Sequence, residues 1–207
     1  MLCRSSGNRS AIISAVPIER VSTGIDGLDP LLGGGLIRGR SYLVSGEPGT
    51  GKTTFCIQYI LQGIQNGENG IFVTIDEKPA HLITDAEAMG WDLQTPLKKG
   101  NLQLLDVTNY FSELRTGDAE SIRIDRVAKE LEKFVQKNKA KRLVIDPIAP
   151  LISNIDAISG VQEYIRKLIG TIEDVTGCTT LLTSHVPSGG ARLSQYEVEE
   201  YIVSGIF

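Results

Sequence analysis

The sequence of 207 residues has few of the residues that cross-link a chain or anchor it in a membrane. It contains three cysteines, none in C-x-x-C spacing, so the sequence indicates neither a disulfide framework nor a cysteine zinc site. No segment approaches the roughly eighteen uninterrupted apolar residues of a membrane helix. The apolar run Ala11 to Ile13 near the N-terminus is too short for a signal-peptide core. These absences predict a protein that remains in the reducing cytoplasm, outside the membrane.

An excess of positive charge is also missing. The sequence has 21 lysines and arginines and 25 aspartates and glutamates, which gives a net charge of −4. Surfaces that grip nucleic acid phosphates are usually basic, so this charge argues against nucleic acid as the main partner. What is present, 41% hydrophobic and 22% charged residues, is typical of one globular domain.

Strand-like and helix-like patterns alternate along the chain. A Ser-rich arm over residues 1–16 carries no assigned chemistry, and one domain is expected over residues 17–207. Short apolar runs predict strands at 41–45, 71–75, 102–107, 142–146, 179–183 and 201–203, and helical spacing predicts helices at 52–65, 79–89, 122–137 and 161–175. This alternation predicts an α/β fold with a mainly parallel, twisted sheet and helices on both faces.

A phosphate-binding loop is the strongest motif. Gly46-Glu47-Pro48-Gly49-Thr50-Gly51-Lys52-Thr53 matches G-x-x-x-x-G-K-[ST] between a predicted strand and a predicted helix. Such glycines let backbone N–H groups face phosphate oxygens, and the helix adds its positive end. We expect Lys52 to reach the β and γ phosphates and Thr53 to coordinate Mg²⁺. The alternative is a glycine-rich turn that matches by chance.

Acidic residues end two other predicted strands. Asp146 ends the strand RLVID, where this class of nucleotidase holds Mg²⁺, although a strand-terminal aspartate is also a common turn former. Asp76 and Glu77 end the strand 71–75. Carboxyl ends of parallel strands share one edge, so either acid could orient the attacking water or accept its proton. Asp76 could instead cap the helix that starts at Pro79, which makes Glu77 the preferred base.

Ser184 and His185 close the predicted strand 179–183. If this strand neighbours the strand of Asp146, both residues lie beside the γ phosphate and could sense its hydrolysis. A histidine at a strand end can also simply be partly exposed.

Several motifs together resemble the KaiC-like branch of the RecA superfamily. They are TGIDGLD (23–29), LGGGL (32–36), SGEPGTGKTT (45–54, ending at Thr54), FVTIDE (72–77), GWDL (90–93), LVID (143–146) and EEY (199–201). The resemblance implies a RecA-like P-loop fold that binds ATP and Mg²⁺ between subunits, commonly in a hexameric ring, and hydrolyses ATP slowly. The resemblance implies that Lys52 and Thr53 are the phosphate and metal ligands and that Asp146 is the acid on the second strand of the site. It also implies that Asp76 and Glu77 are the paired catalytic carboxylates.

The resemblance is incomplete in two places. Members with the clock function carry two such domains in tandem, whereas this chain has one phosphate-binding loop. Members also continue past the EEY motif into further strands, so we expect the domain to lack its C-terminal strands.

Four functions remain open from the sequence. The leading one is an oligomeric Mg²⁺-dependent ATPase. A nucleotide-gated switch or scaffold without hydrolysis is the second, and the sequence names no protein partner. A relative of DNA recombinases would use the Gly-rich segment 187–192 with its single Arg192. An autokinase is the fourth.

Overall fold

The computed structural model describes residues 17–75, 77–107, 124–151, 158–186, 194 and 202–207. The N-terminal arm, Asp76, the Gly-rich segment 187–192 and the EEY motif lie outside these residues. The elements in chain order are β1 (Arg20–Val21), α1 (Leu28–Leu31), β2 (Leu36–Ile37), β3 (Ser41–Gly46), α2 (Lys52–Gln65), β4 (Asn69–Thr74), α3 (Pro79–Ala88), α4 (Gln94–Lys99), β5 (Leu102–Asp106), α5 (Ile124–Asn138), β6 (Ala140–Asp146), a 3-10 turn (Ala149–Leu151), α6 (Ile158–Thr176) and β7 (Thr179–His185).

Within the described residues, five strands form a parallel sheet in the order β3-β7-β6-β4-β5. Strands β1 and β2 pair separately as a small antiparallel ribbon. Five of the six predicted strands and the predicted helices between them are present, so the parallel α/β prediction is confirmed. The order matters for function because β7 lies between the strand that leads into the phosphate-binding loop and the strand that ends at Asp146.

Helices cover both faces of the sheet, as predicted. On one face α2 packs with Tyr59 and Ile60 against Phe72, Val144 and Leu181. On the other face α5 and α6 pack against the residues that alternate with these. Leu131 and Ile165 of the helices meet Ile71, Leu143 and Leu182 there. The period of two along each strand therefore divides the apolar side chains between two cores.

Two local predictions differ from the structure, and one helix was not predicted. The run 201–203 does not continue as a strand, because its described residues Ile202 and Val203 lie in a turn and a bend. Backbone hydrogen bonds to β3 begin later, where Ser204 N donates to the carbonyl oxygen of Ser41, and they continue to Phe207, whose N donates to the carbonyl oxygen of Leu43. The spacing of apolar residues in the sequence predicts that Phe134 lies on the apolar face of α5 with Leu131 and Val135, but Phe134 is 37% exposed. Helix α4 has no counterpart among the sequence predictions.

Within the described residues, no helix combines the length and the apolar character needed to cross a membrane.

Candidate functional site

The phosphate-binding loop joins the end of β3 to the start of α2. Gly49 and Gly51 have φ values of 79° and 91°, a region that residues with a Cβ rarely adopt. Gly51 is the N-cap of α2, and no side chain of the described residues caps this helix. Residues 47–51 are exposed. The loop is therefore open to solvent at the positive end of α2, as an anion-binding loop requires.

Lys52 folds back over this loop. Its Nζ donates hydrogen bonds to the carbonyl oxygens of Gly46 and Glu47, both at 2.8 Å. The residue is only 8% exposed. Burial lowers the pKa of Lys52, while the negative charge of Asp146 acts in the opposite direction. The ammonium group of Lys52 is thus hydrogen-bonded to neutral carbonyl groups of the loop, which a bound phosphate could replace.

Asp146 accepts hydrogen bonds from two threonines. Thr53 Oγ1, at the start of α2, donates to Asp146 Oδ2 at 2.7 Å. Thr183 Oγ1, on β7, donates to Asp146 Oδ1. The structure thus brings together Thr53 and Asp146, the two residues predicted to hold the metal, although 93 positions separate them in the sequence.

Glu77 follows β4, which pairs with β6 on the edge opposite to β7. Thr74 Oγ1 donates to the carbonyl oxygen of Glu77 at 2.5 Å, which connects Glu77 to the end of β4. Burial raises the pKa of Glu77, the charges of Asp85 and Asp146 raise it further, and His81 opposes them. A carboxylate with a raised pKa is a better proton acceptor, which suits the predicted base. Asp76, the other predicted carboxylate, lies outside the described residues.

Ser184 and His185 lie where the sequence analysis required, because β7 does neighbour the strand of Asp146. In the register of β3 and β7, Ser184 is opposite Ser45 and His185 is opposite Gly46. Val186 N donates to the carbonyl oxygen of Gly46 at 3.1 Å. His185 Nδ1 is buried and has no hydrogen-bond partner among the described residues. Its sensing role stays a prediction.

The donors at this edge fit a magnesium–nucleotide complex. Within the described residues, no group of three or more His, Cys, Asp or Glu side chains could hold a metal by itself. Mg²⁺ prefers oxygen ligands and often binds through one or two protein groups, phosphate oxygens and water. A hydroxyl and a carboxylate 2.7 Å apart beside an open phosphate-binding loop match this preference.

Comparisons with known proteins agree with the geometry. The model of the family described as "ATPase: KaiC" matches residues 21–207. The circadian clock oscillator protein KaiC of Prochlorococcus marinus is 35% identical over 192 residues, which cover 91% of this chain and 37% of that protein. Its namesake in Synechococcus elongatus is 34% identical, with 91% and 36% covered.

The structural comparison gives the same result. The crystal structure of a KaiC-like protein from the hyperthermophilic archaeon Pyrococcus horikoshii OT3 has a TM-score of 0.75 and 34% sequence identity, covering 92% of this chain and 80% of that one. The chain belongs to the KaiC family of ATPase domains. It therefore has the RecA-like P-loop fold that the motifs indicated. It spans a little over a third of the length of the curated KaiC relatives it matches.

The TGIDGLD motif of this KaiC-family chain has a structural role. Thr23 is fully buried, and both its N–H and its hydroxyl donate to Asp29 Oδ1, at 2.9 and 2.7 Å. Gln58 Nε2, on α2, donates to the carbonyl oxygen of Gly24 at 2.5 Å. The motif thus fastens the segment before β2 to the helix that follows the phosphate-binding loop.

Sequence reasoning missed the contact of Thr183 with Asp146 and that of Thr74 with Glu77. Both are almost completely buried at the ends of apolar strands. The signal in the sequence was a threonine at a buried strand position, either shortly before an acid in the chain or on the strand adjacent to the one that carries the acid. Using it required the strand order, which the sequence analysis did not predict.

Proposed function

We propose that this chain binds ATP with Mg²⁺ at the carboxyl edge of its sheet and hydrolyses it slowly to ADP and phosphate, as a subunit of an oligomer. The observation that carries the proposal is the meeting of Thr53 and Asp146 at 2.7 Å, beside the buried ammonium group of Lys52. Two oxygen donors and one cation in this arrangement suit a metal-bound triphosphate.

The loop and Lys52 would bind the phosphates. Gly46, Glu47, Pro48, Gly49, Thr50 and Gly51 supply the backbone that surrounds the anion, and Thr54 continues it into α2. Lys52 would exchange its two carbonyl partners for phosphate oxygens. Thr53 and Asp146 would hold Mg²⁺, which when bound neutralises charge on the phosphate oxygens.

Glu77 would act as the base. Its raised pKa favours accepting a proton from the attacking water, and it follows the strand next to that of Asp146. Asp76 is the second proposed carboxylate. Ser184 and His185 would report the state of the γ phosphate, since the end of β7 is hydrogen-bonded to the first residue of the loop.

An oligomer is proposed because one subunit leaves the site open. Residues 47–51 of the loop are exposed, so a neighbouring subunit has room to cover the nucleotide. The family resemblance implies a hexameric ring with ATP between subunits. We propose this arrangement for the present chain.

The test is ATP turnover with Mg²⁺ across a range of protein concentrations. Turnover per chain is expected to rise with concentration and to vanish in Lys52→Ala. The matched control is Lys98→Ala, which removes an exposed lysine on α4. Turnover per chain that is independent of concentration would contradict the shared site. Nucleotide binding without turnover at any concentration would instead favour the switch or scaffold function.

A further inference from the structure

The carboxylate of Asp146 is held by two hydroxyl groups of different character. Thr53 belongs to the phosphate-binding loop and its helix, and its hydroxyl would turn to the metal when ligand binds. Thr183 belongs to β7, an inner strand of the sheet, and is fully buried. It is therefore the partner that can stay on Asp146 in both states.

The register explains why Thr183 reaches this carboxylate. Leu182 is paired with Ile145, so the next residues along the two parallel strands, Thr183 and Asp146, lie side by side. The carbonyl oxygen of Thr183 also accepts a hydrogen bond from Ile148 N at 2.9 Å. Thr183 thus holds the end of β6 through its backbone and the Asp146 side chain through its hydroxyl.

The hydroxyl limits a rotation that is otherwise soft. The terminal torsion of an aspartate has broad minima, so a carboxylate held at one point can rotate. Donation from Thr183 to Oδ1 fixes this oxygen and keeps Oδ2 on the side of Thr53. A valine would have nearly the same shape and a favourable strand propensity, but it could not make this bond.

We propose that Thr183 is a positioning residue that orients Asp146 toward a bound Mg²⁺. The proposal rests on the proposed function, which places the metal at Asp146. Residues that orient metal ligands in this way typically change metal affinity by about 10- to 100-fold when mutated. Thr183 therefore affects the Mg²⁺ requirement of nucleotide binding more than nucleotide binding itself.

The test compares Thr183→Val, which keeps the shape, with Thr183→Ser, which keeps the hydroxyl. Binding of a fluorescent, non-hydrolysable ATP analogue is titrated with Mg²⁺. The Mg²⁺ concentration for half-maximal binding is expected to rise about tenfold in Thr183→Val and to stay near that of the wild type in Thr183→Ser. Binding in EDTA is expected to be unchanged in both variants. If Thr183 only filled space, Thr183→Ser would be the defective variant.

The matched control is Thr180→Val on the same strand. Thr180 is also fully buried, but its hydroxyl faces the carbonyl oxygen of Cys178 at 3.5 Å rather than Asp146. An equal effect of Thr180→Val and Thr183→Val would overturn the proposal, as would an unchanged Mg²⁺ requirement in Thr183→Val. A wild-type protein that binds the analogue equally well without Mg²⁺ would overturn the proposed metal site as well. The two failures are thus distinguishable.

Discussion

The two ends of the parallel sheet treat charge in opposite ways. At the amino end, the guanidinium of Arg142 is 1% exposed and donates to Glu68 Oε2 at 2.7 Å. Glu68 also accepts from Arg38 at 2.7 Å, and Arg38 pairs in turn with Glu19. At the carboxyl end, no salt bridge within the described residues involves Lys52 or Asp146. The charged groups at the amino end are therefore paired with opposite charges, whereas those at the carboxyl end are hydrogen-bonded to neutral groups.

The amino end is built for permanence. Arg142 Nη1 also donates to the carbonyl oxygens of Ser22 and Tyr59, both at 2.8 Å, and the guanidinium lies 4.5 Å from the centroid of the Tyr59 ring. Gly63 of α2 passes so close that a Cβ there would lie 2.3 Å from Arg142 Cδ. The arginine thus joins β6, α2 and the segment before α1.

The carboxyl end is built for exchange. The carbonyl partners of Lys52 and the hydroxyl of Thr53 on Asp146 are neutral groups, which a phosphate or a metal can replace at little electrostatic cost. A buried charge with a charged partner therefore indicates a structural role. A charge held by neutral groups at the carboxyl end of a parallel sheet indicates a ligand-binding site. Four predictions test this difference.

The largest effect is expected for Glu77→Gln at the carboxyl end. Losing the base is expected to lower ATP turnover by about a thousandfold, since general base catalysis is typically of this size. Nucleotide affinity and the urea midpoint are expected to stay near wild type. The control is Glu87→Gln, an exposed glutamate on α3. Turnover at the wild-type rate in Glu77→Gln would remove this residue from the mechanism.

Arg142→Met at the amino end is expected to lower the stability of the fold and to leave the nucleotide site intact. It leaves Glu68 with one cationic partner, and breaking a buried pair in this way costs about 3 kcal/mol, or roughly a hundredfold in the folding equilibrium. Urea unfolding measures this loss, with the exposed Arg166→Met on α6 as the control. Nucleotide affinity of the folded fraction is expected to hold. A weakened affinity with unchanged stability would show that the two ends are not separate in function.

Thr74→Val is expected to have a smaller effect, on turnover alone. Without the hydrogen bond from Thr74 Oγ1 to the carbonyl oxygen of Glu77, the connection that positions the base loosens. We expect turnover to fall about tenfold at constant nucleotide affinity, and Thr74→Ser to restore it. The control is Thr84→Val, whose hydroxyl makes a similar bond to a backbone carbonyl on the exposed side of α3. Equal loss in both variants would count against the positioning role.

The smallest effect is a pH dependence of stability at the amino end. Burial alone would raise the pKa of Glu68, but hydrogen bonds from Arg142 and Arg38 outweigh it and lower the pKa. A lowered folded-state pKa stabilises the protein above the unfolded-state pKa, and this stability is lost as the pH falls through the folded-state value. Glu68→Gln is therefore expected to destabilise the protein at neutral pH and progressively less in acid, measured by urea unfolding. A difference that does not change with pH would contradict this account.

Local features were predictable from the sequence. The phosphate-binding loop was readable because its glycines, its lysine and the change from strand to helix pattern all fall within about twenty residues. The strands were readable because each is a short apolar run. Helix α4 was missed because it has six residues with Pro96 among them, so it offers no periodic pattern. The run 201–203 misled because its composition favours a strand, while its pairing depends on where the chain meets β3.

By itself, the sequence determined the parallel α/β fold, the phosphate-binding loop, and the acids at the strand ends. These follow from short-range patterns, since backbone conformation and apolar periodicity depend on neighbouring residues. Only the tertiary structure decided that β7 lies between β3 and β6, that Thr183 and Thr53 share the Asp146 carboxylate, and that Arg142 is buried against Glu68. These contacts join residues far apart in the chain, and they exist only because the packing of helices on both faces of the sheet sets the order of its strands.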